Sequence, residues 1–210
     1  MPSPAGRPDS LLGQETMTYQ YSEDEEDRQR FHRNIDNSQP AVFVMAAWFS
    51  ALGYEVTIPP TTKAPTHSQW KKHADNGDIF ISKNGMSKKT RIEVKHLTLN
   101  AAHGNKTFTN KDDWPFPDYM VCAQHAFDMA REKPHSIFAL NPEKTHAGVV
   151  YGKDHANWWT VKRVDSRYNN MEQSFYTTAP DLVTFIDLNQ YLEKHLREQE
   201  ENEGSRAASR

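Results

Sequence analysis

The sequence predicts a mixed α/β fold: one domain with a mixed central sheet flanked by helices, extra C-terminal strands and a closing helix. Three observations carry this. An apolar, helix-compatible run from Ala41 to Leu52 is followed at once by the alternating segment Tyr54 to Ile58. Two short apolar segments, Asp78 to Ser82 and Thr90 to Leu97, flank an Asn84-Gly85 pair, the strongest short-range hairpin signal. Near the end, Asp187 and Gln190 form a capping box ahead of the stripe Leu188, Tyr191, Leu192 and Leu196.

Taken in order, residues 1–27 read as an acidic tail, rich at first in Pro, Ser and Gly and without period. Glu23 to Ile35 suits a polar helix with Phe31 and Ile35 on one stripe, or else a solvated extension of the tail. Pro40 fits the first turn of a new helix, and Gly53 fits its left-handed stop. The strand Tyr54 to Ile58 ends at Pro59-Pro60, and the hairpin follows a polar loop. Tyr119 to Phe127 alternates more like a strand than a helix. Ser136 to Leu140, Gly148 to Tyr151 and Trp158 to Val164 read as further strands, the last two separated by the turn-rich Lys153 to Asn157. Gly204 is the predicted stop of the closing helix, and 197–210 a polar tail. The domain proper is 28–196.

Composition narrows the function classes. No run approaches the ~20 apolar residues of a membrane span, and the N-terminus shows no apolar leader, so the expectation is a cytoplasmic protein without membrane contact. The lone Cys122 excludes an internal disulfide and a Cys-rich zinc site. The ten histidines contain no HExxH and no zinc-finger spacing, and there is no P-loop and no GxSxG. The net charge of −3 is uneven: residues 1–27 carry −6 and residues 28–196 carry +4. Between Lys63 and Lys111 ten Lys or Arg surround only Asp75, Asp78 and Glu93. Such a basic stretch around a few acids suits a polyanionic partner and a cation site, or simply solvates loops and strand edges.

The hairpin gives the chemistry. With Asn84-Gly85 as a two-residue loop, Lys83 pairs with Met86, and Asp78 lies opposite Arg91 and diagonal to Glu93. Period-two alternation then sets Asp78, Glu93 and Lys95 on one face, and Ile79, Ile81, Ile92 and Val94 on the other. Diagonal neighbours sit roughly 7–8 Å apart, near enough for two carboxylates to share a cation. All-oxygen ligands select a hard ion such as Mg²⁺, with Mn²⁺ as substitute, and the Val94 carbonyl is a third candidate ligand. Such an ion stabilises charge on a phosphodiester and acidifies bound water, while Lys95 can orient that water.

Gly77-Asp78, fourteen further residues, then Glu93-Val94-Lys95 resembles the PD-(D/E)XK nuclease superfamily, the restriction-endonuclease-like fold. The helix ending Leu52-Gly53-Tyr54 and the strand after it stand where that family's αβββαβ core requires them. The resemblance covers about residues 38–140 and extends to small phage or bacterial nucleases. It implies that Asp78 and Glu93 bind metal and Lys95 assists hydrolysis. Two departures stand out: Gly77 replaces the common proline, and Ala41 to Leu52 supplies no further acid, with Glu55 and Asp36 as weak substitutes.

The expected function is therefore Mg²⁺-dependent phosphodiester hydrolysis, with DNA favoured over RNA. Its alternative is a catalytically silent nucleic-acid-binding or regulatory protein on the same fold, with a host or phage protein as partner. A homodimer is an open arrangement. Lys71, Lys72, His73, Lys88 and Lys89 are candidate nucleic-acid contacts, or merely solubilising charges and a loop histidine. His96 reads as structural, Cys122 with His125 as packing, and Trp158-Trp159 as one core residue and one partly covered.

Overall fold

The computed structural model describes residues 25–60, 77–83, 85–97, 107–165 and 171–208. Its elements are α1 (Glu25–Ala51), β1 (Tyr54–Thr57), β2 (Ile79–Lys83), β3 (Thr90–His96), β4 (Tyr119–Ala123), α2 (Gln124–Met129), β5 (Ser136–Leu140), β6 (His146–Tyr151), β7 (Trp159–Asp165), β8 (Met171–Thr178), β9 (Thr184–Asp187) and α3 (Leu188–Ala208). Six strands form the main sheet in the order β1-β2-β3-β5-β6-β9, and three form a second sheet in the order β4-β8-β7. Every neighbouring pair is antiparallel except β3 and β5. That parallel pair needs a crossover, and the chain between its strands contains β4 and α2.

The main sheet is the middle layer. One face carries Ile79, Ile81, Ile92, Val94, Phe138 and Leu140 against Val42, Met45, Trp48 and Phe49 of α1. The other carries Ile137, Ala139 and Val150, which pack with Tyr119 and Val121 of β4. All five residues of β5 are buried because both layers press on it. The closing helix is anchored at its first turn: the Trp48 indole N–H donates to the Leu188 carbonyl at 2.8 Å, and Asp187 accepts the backbone N–H groups of Asn189 and Gln190. Among the described residues no helix is long and apolar enough to cross a membrane.

Several sequence expectations are corrected. The two N-terminal helices are one, with an exposed Pro40 inside it. A proline forfeits its own N–H bond there, and the packed run from Ala41 to Phe49 holds the helix beyond it. The stripe of Phe31 and Ile35 falls outside the described side chains. Gly53 does close α1, at φ +84, with its N–H on the Ser50 carbonyl. Tyr119 to Phe127 divides between β4 and α2, and β4 has a register shift between Met120 and Cys122. The turn Lys153 to Asn157 is a 3₁₀ helix. Two strands, β8 and β9, were not expected. Gly204 does not stop α3, since Arg206, Ala207 and Ala208 continue the helix and Ser205 bonds back to the Glu201 carbonyl.

Candidate active site

The hairpin of β2 and β3 holds the site, in a register different from the one expected. Ile79 pairs with Ile92, Phe80 with Arg91 and Ile81 with Thr90. The turn is present, with Gly85 at φ +80 and the Met86 N–H on the Lys83 carbonyl. Residues 86–89, however, are irregular rather than paired. The ladder therefore slips by two positions, which preserves side-chain parity; carried one residue past the Ile79–Ile92 pair, it sets Asp78 opposite Glu93 instead of opposite Arg91.

Strand β2 starts only at Ile79, and Gly77 before it turns the chain away at φ +104. Along β3, the Arg91 carbonyl and the Leu97 N–H bond toward the β5 side. By alternation Val94 turns its N–H and carbonyl to the β2 flank, where the strand has ended. Asp78 fills that gap, its Oδ2 accepting the Val94 N–H at 2.7 Å. The half-buried Asp78 carboxylate and the Val94 carbonyl thus share one flank.

On the sheet face, Arg91, Glu93 and Lys95 follow each other at period two. Glu93 is 8% exposed and Arg91 7%. Lys95 Nζ donates to Glu93 Oε1 at 2.6 Å, and Arg91 Nη2 to Oε2 at 3.1 Å. Arg91 Nη1 donates to the Glu132 carbonyl at 2.8 Å, while its Nε is buried with no partner. Burial alone drives the Glu93 carboxyl toward protonation, but the charge and hydrogen bonds of Lys95, then of Arg91, outweigh it, and its pKa lies below the ordinary carboxylate value. Two acids thus stand against two bases.

Across from this line sits β4. Burial pushes the Cys122 thiol up to about 12; Lys95 opposes that shift, while Glu93 and Asp128 add to it. At neutral pH it stays a thiol, in keeping with its expected packing role. On α2, Asp128 accepts the Tyr176 hydroxyl at 2.9 Å.

Among the described residues, no three His, Cys, Asp or Glu side chains form a ready-made metal cluster. The oxygen donors are two carboxylates and one carbonyl, a set suited to a hard divalent ion that retains part of its water shell. A carboxylate has about four acceptor sites, so the two hydrogen bonds from Arg91 and Lys95 do not exhaust Glu93. The residues fit Mg²⁺ or Mn²⁺.

The remaining candidates are placed as follows. Lys71, Lys72 and His73 lie outside the described residues. Lys88 and Lys89 are exposed at the turn end of the hairpin, where Lys89 Nζ reaches Thr57 Oγ1 at 3.3 Å. Four residues of β-strand rise set Lys89 about 13 Å from Glu93, so the structure does not join them to the carboxylates. Glu55 pairs with Ser82, toward the same far end, and Asp36 is on α1, which packs on the opposite face. Neither adds an acid to the site. His96 Nε2 lies 3.3 Å from the Pro142 carbonyl, a structural contact. Trp158 packs in the core beneath the second sheet while Trp159 is 43% exposed.

What sequence reasoning missed is Arg91 as a member of the site. The signal was available: Arg91 stands two residues before Glu93 and so shares its face. Fold and site together define a mixed α/β protein with a buried, ion-paired carboxylate centre on its main sheet. No family model, no curated protein and no solved structure matches the chain.

Proposed function

We propose that this protein is a divalent-metal-dependent nuclease of the PD-(D/E)XK type, hydrolysing phosphodiester bonds, with DNA the favoured substrate. The observation that carries the reading is Asp78 bonded to the Val94 N–H one residue beyond the Ile79–Ile92 pair, beside Glu93, with Lys95 against the glutamate and the Val94 carbonyl on the Asp78 flank. The element order lends support: α1, β1, β2, β3, α2 and β5 follow the αβββαβ order that the resemblance implies, with β4 added to the crossover. Asp78, Glu93 and the Val94 carbonyl would hold Mg²⁺, which supplies charge neutralisation and an acidified water when bound. Lys95, 40% exposed, donates its ammonium protons at the mouth of the site to a water or a phosphate oxygen. Asp78 stays oriented by the Val94 N–H, and Glu93 stays ionised beside its two cations.

A second reading, a nucleic-acid-binding or regulatory protein without turnover, draws on the internal balance of the four charges. One assay separates them: supercoiled, linear, single-stranded and branched DNA, and RNA, with Mg²⁺, Mn²⁺ or EDTA, for the wild type, Glu93→Gln and Lys95→Met. The nuclease reading expects metal-dependent cleavage lost in both variants. No cleavage by folded wild type, with nucleic-acid binding intact in all three, overturns it and favours the silent protein.

A further inference from the structure

We infer that Arg91 is the positioning residue of the carboxylate pair: its guanidinium fixes one oxygen of Glu93 and wedges against the chain leading into Asp78, with Gly77 as the gap through which it passes. The inference rests on the divalent-cation reading above and assigns to Arg91 a part that the motif itself does not contain.

Two cations hold Glu93, and they are unlike. Lys95 is 40% exposed on its side chain and Arg91 7%. The Arg91 guanidinium is tied at both ends, Nη2 to Glu93 Oε2 at 3.1 Å and Nη1 to the Glu132 carbonyl at 2.8 Å. Its own carbonyl accepts the His135 N–H at 2.9 Å, so one residue links β3, the glutamate and the segment that enters β5. A planar fork sets direction as well as charge, which an ammonium cannot do.

Its third donor, Nε, is buried without a partner. A residue selected only for positive charge would not bury an unused donor. The side chain lies there because its path is set by Gly77. A Cβ on Gly77 would come 2.7 Å from Arg91 Nε and 3.1 Å from Cδ and Cγ. Gly77 also has φ +104, a conformation other residues rarely adopt. The glycine that stands in place of the common proline is therefore needed on two counts. Arg91 rests against the backbone one residue before Asp78 and holds Glu93, so it bears on the chain that carries each half of the pair.

Mn²⁺ titration of the full chain, followed by the electron paramagnetic resonance of the free ion, tests this on wild type, Arg91→Lys, Arg91→Met, Gly77→Ala and Glu93→Gln. Thermal unfolding of each is run beside it. Loss of an orienting partner behind a ligand costs about 10–100-fold in metal affinity, and that loss is expected in all three Arg91 and Gly77 variants. A mere counter-charge predicts otherwise: Arg91→Lys would bind as wild type, and Arg91→Met, relieved of a positive charge, would bind more tightly. Either result overturns the inference. If Arg91→Met fails to fold, Arg91→Lys, with its charge retained, decides alone. Wild-type binding abolished in Glu93→Gln but kept in Arg91→Lys sinks the positioning role and leaves the nuclease reading standing. Wild type that binds no Mn²⁺ sinks both.

Discussion

Replacing Glu93 with alanine tests the electrostatics of the site apart from any activity. The variant leaves Arg91, 7% exposed, without its carboxylate partner. At the 3.1 Å separation of Arg91 and Glu93, the gross attraction is ~5 kcal/mol at an effective dielectric near 20. Desolvation of both ions offsets much of that in the intact pair, but removing one partner leaves the cost of the other. Breaking a buried pair in this way costs about 3–5 kcal/mol. The Lys95 pair adds no more than about 1 kcal/mol, because Lys95 is 40% exposed and screened by water. At roughly 2–4 °C per kcal/mol for a chain of this size, the midpoint falls by about 10 °C at pH 7. The sign with pH follows from the depressed pKa of Glu93. Its contribution is full above its ordinary value of 4.5 and is lost as pH falls through the lower folded-state value. Urea unfolding of wild type and variant should therefore show a constant gap from pH 8 to about 5 that closes in acid. A variant as stable as wild type at pH 7, or more stable, would refute this. That outcome means repulsion between Asp78 and Glu93 governs the site and the two bases do not balance it.

Three further outcomes follow from the packing. Asn141, 1% exposed, holds Thr107, Phe108, Thr145 and His146 through five hydrogen bonds, so Asn141→Ala should cost about 3 kcal/mol by calorimetry and speed tryptic cleavage at Lys111. A Cβ on Gly148 would sit 2.9 Å from Tyr119 Cε2, so Gly148→Ala should lose about 2 kcal/mol. Combining it with Tyr119→Phe, which removes the colliding hydroxyl, should cost less than the two losses added; strict additivity would contradict the clash. Cys122, with its thiol near 12, should resist maleimide at pH 8 until the chain unfolds, and rapid labelling of the native protein would show that the thiol is open.

Much of this was legible in the chain because local rules decided it. Gly53 needed a positive φ at a helix end, Asp187 needed backbone donors to cap, and the alternation of Ile79, Ile81, Ile92 and Val94 needed one apolar neighbour. The wrong register left the facing of the paired residues unchanged for a definable reason: a slip of two keeps each side chain on its face, and a slip of one would have exchanged them. The slip was hidden because Asn84-Gly85 fixes the turn but not where the ladder resumes. Strands β8 and β9 were missed because MEQSFYTT buries the polar Gln173, Thr177 and Thr178 beside Phe175 and so shows no apolar alternation, and because TFID is too short to show a period. The merger across Pro40 was illegible because tertiary packing beyond the proline, not local propensity, sustains the helix.

Strand β5 is a party wall. Phe138 and Leu140 belong to the helical layer, Ile137 and Ala139 to the layer beneath, and Glu93 and Lys95 of β3 pair with Ile137 and Ala139 in register. Losing the helical layer would bare Phe138 and Leu140, and losing the layer beneath would bare Ile137 and Ala139, so either loss strips one face of the same strand. The carboxylate centre is mortared to that wall, so its geometry is lost only when the whole molecule melts, in one transition rather than two.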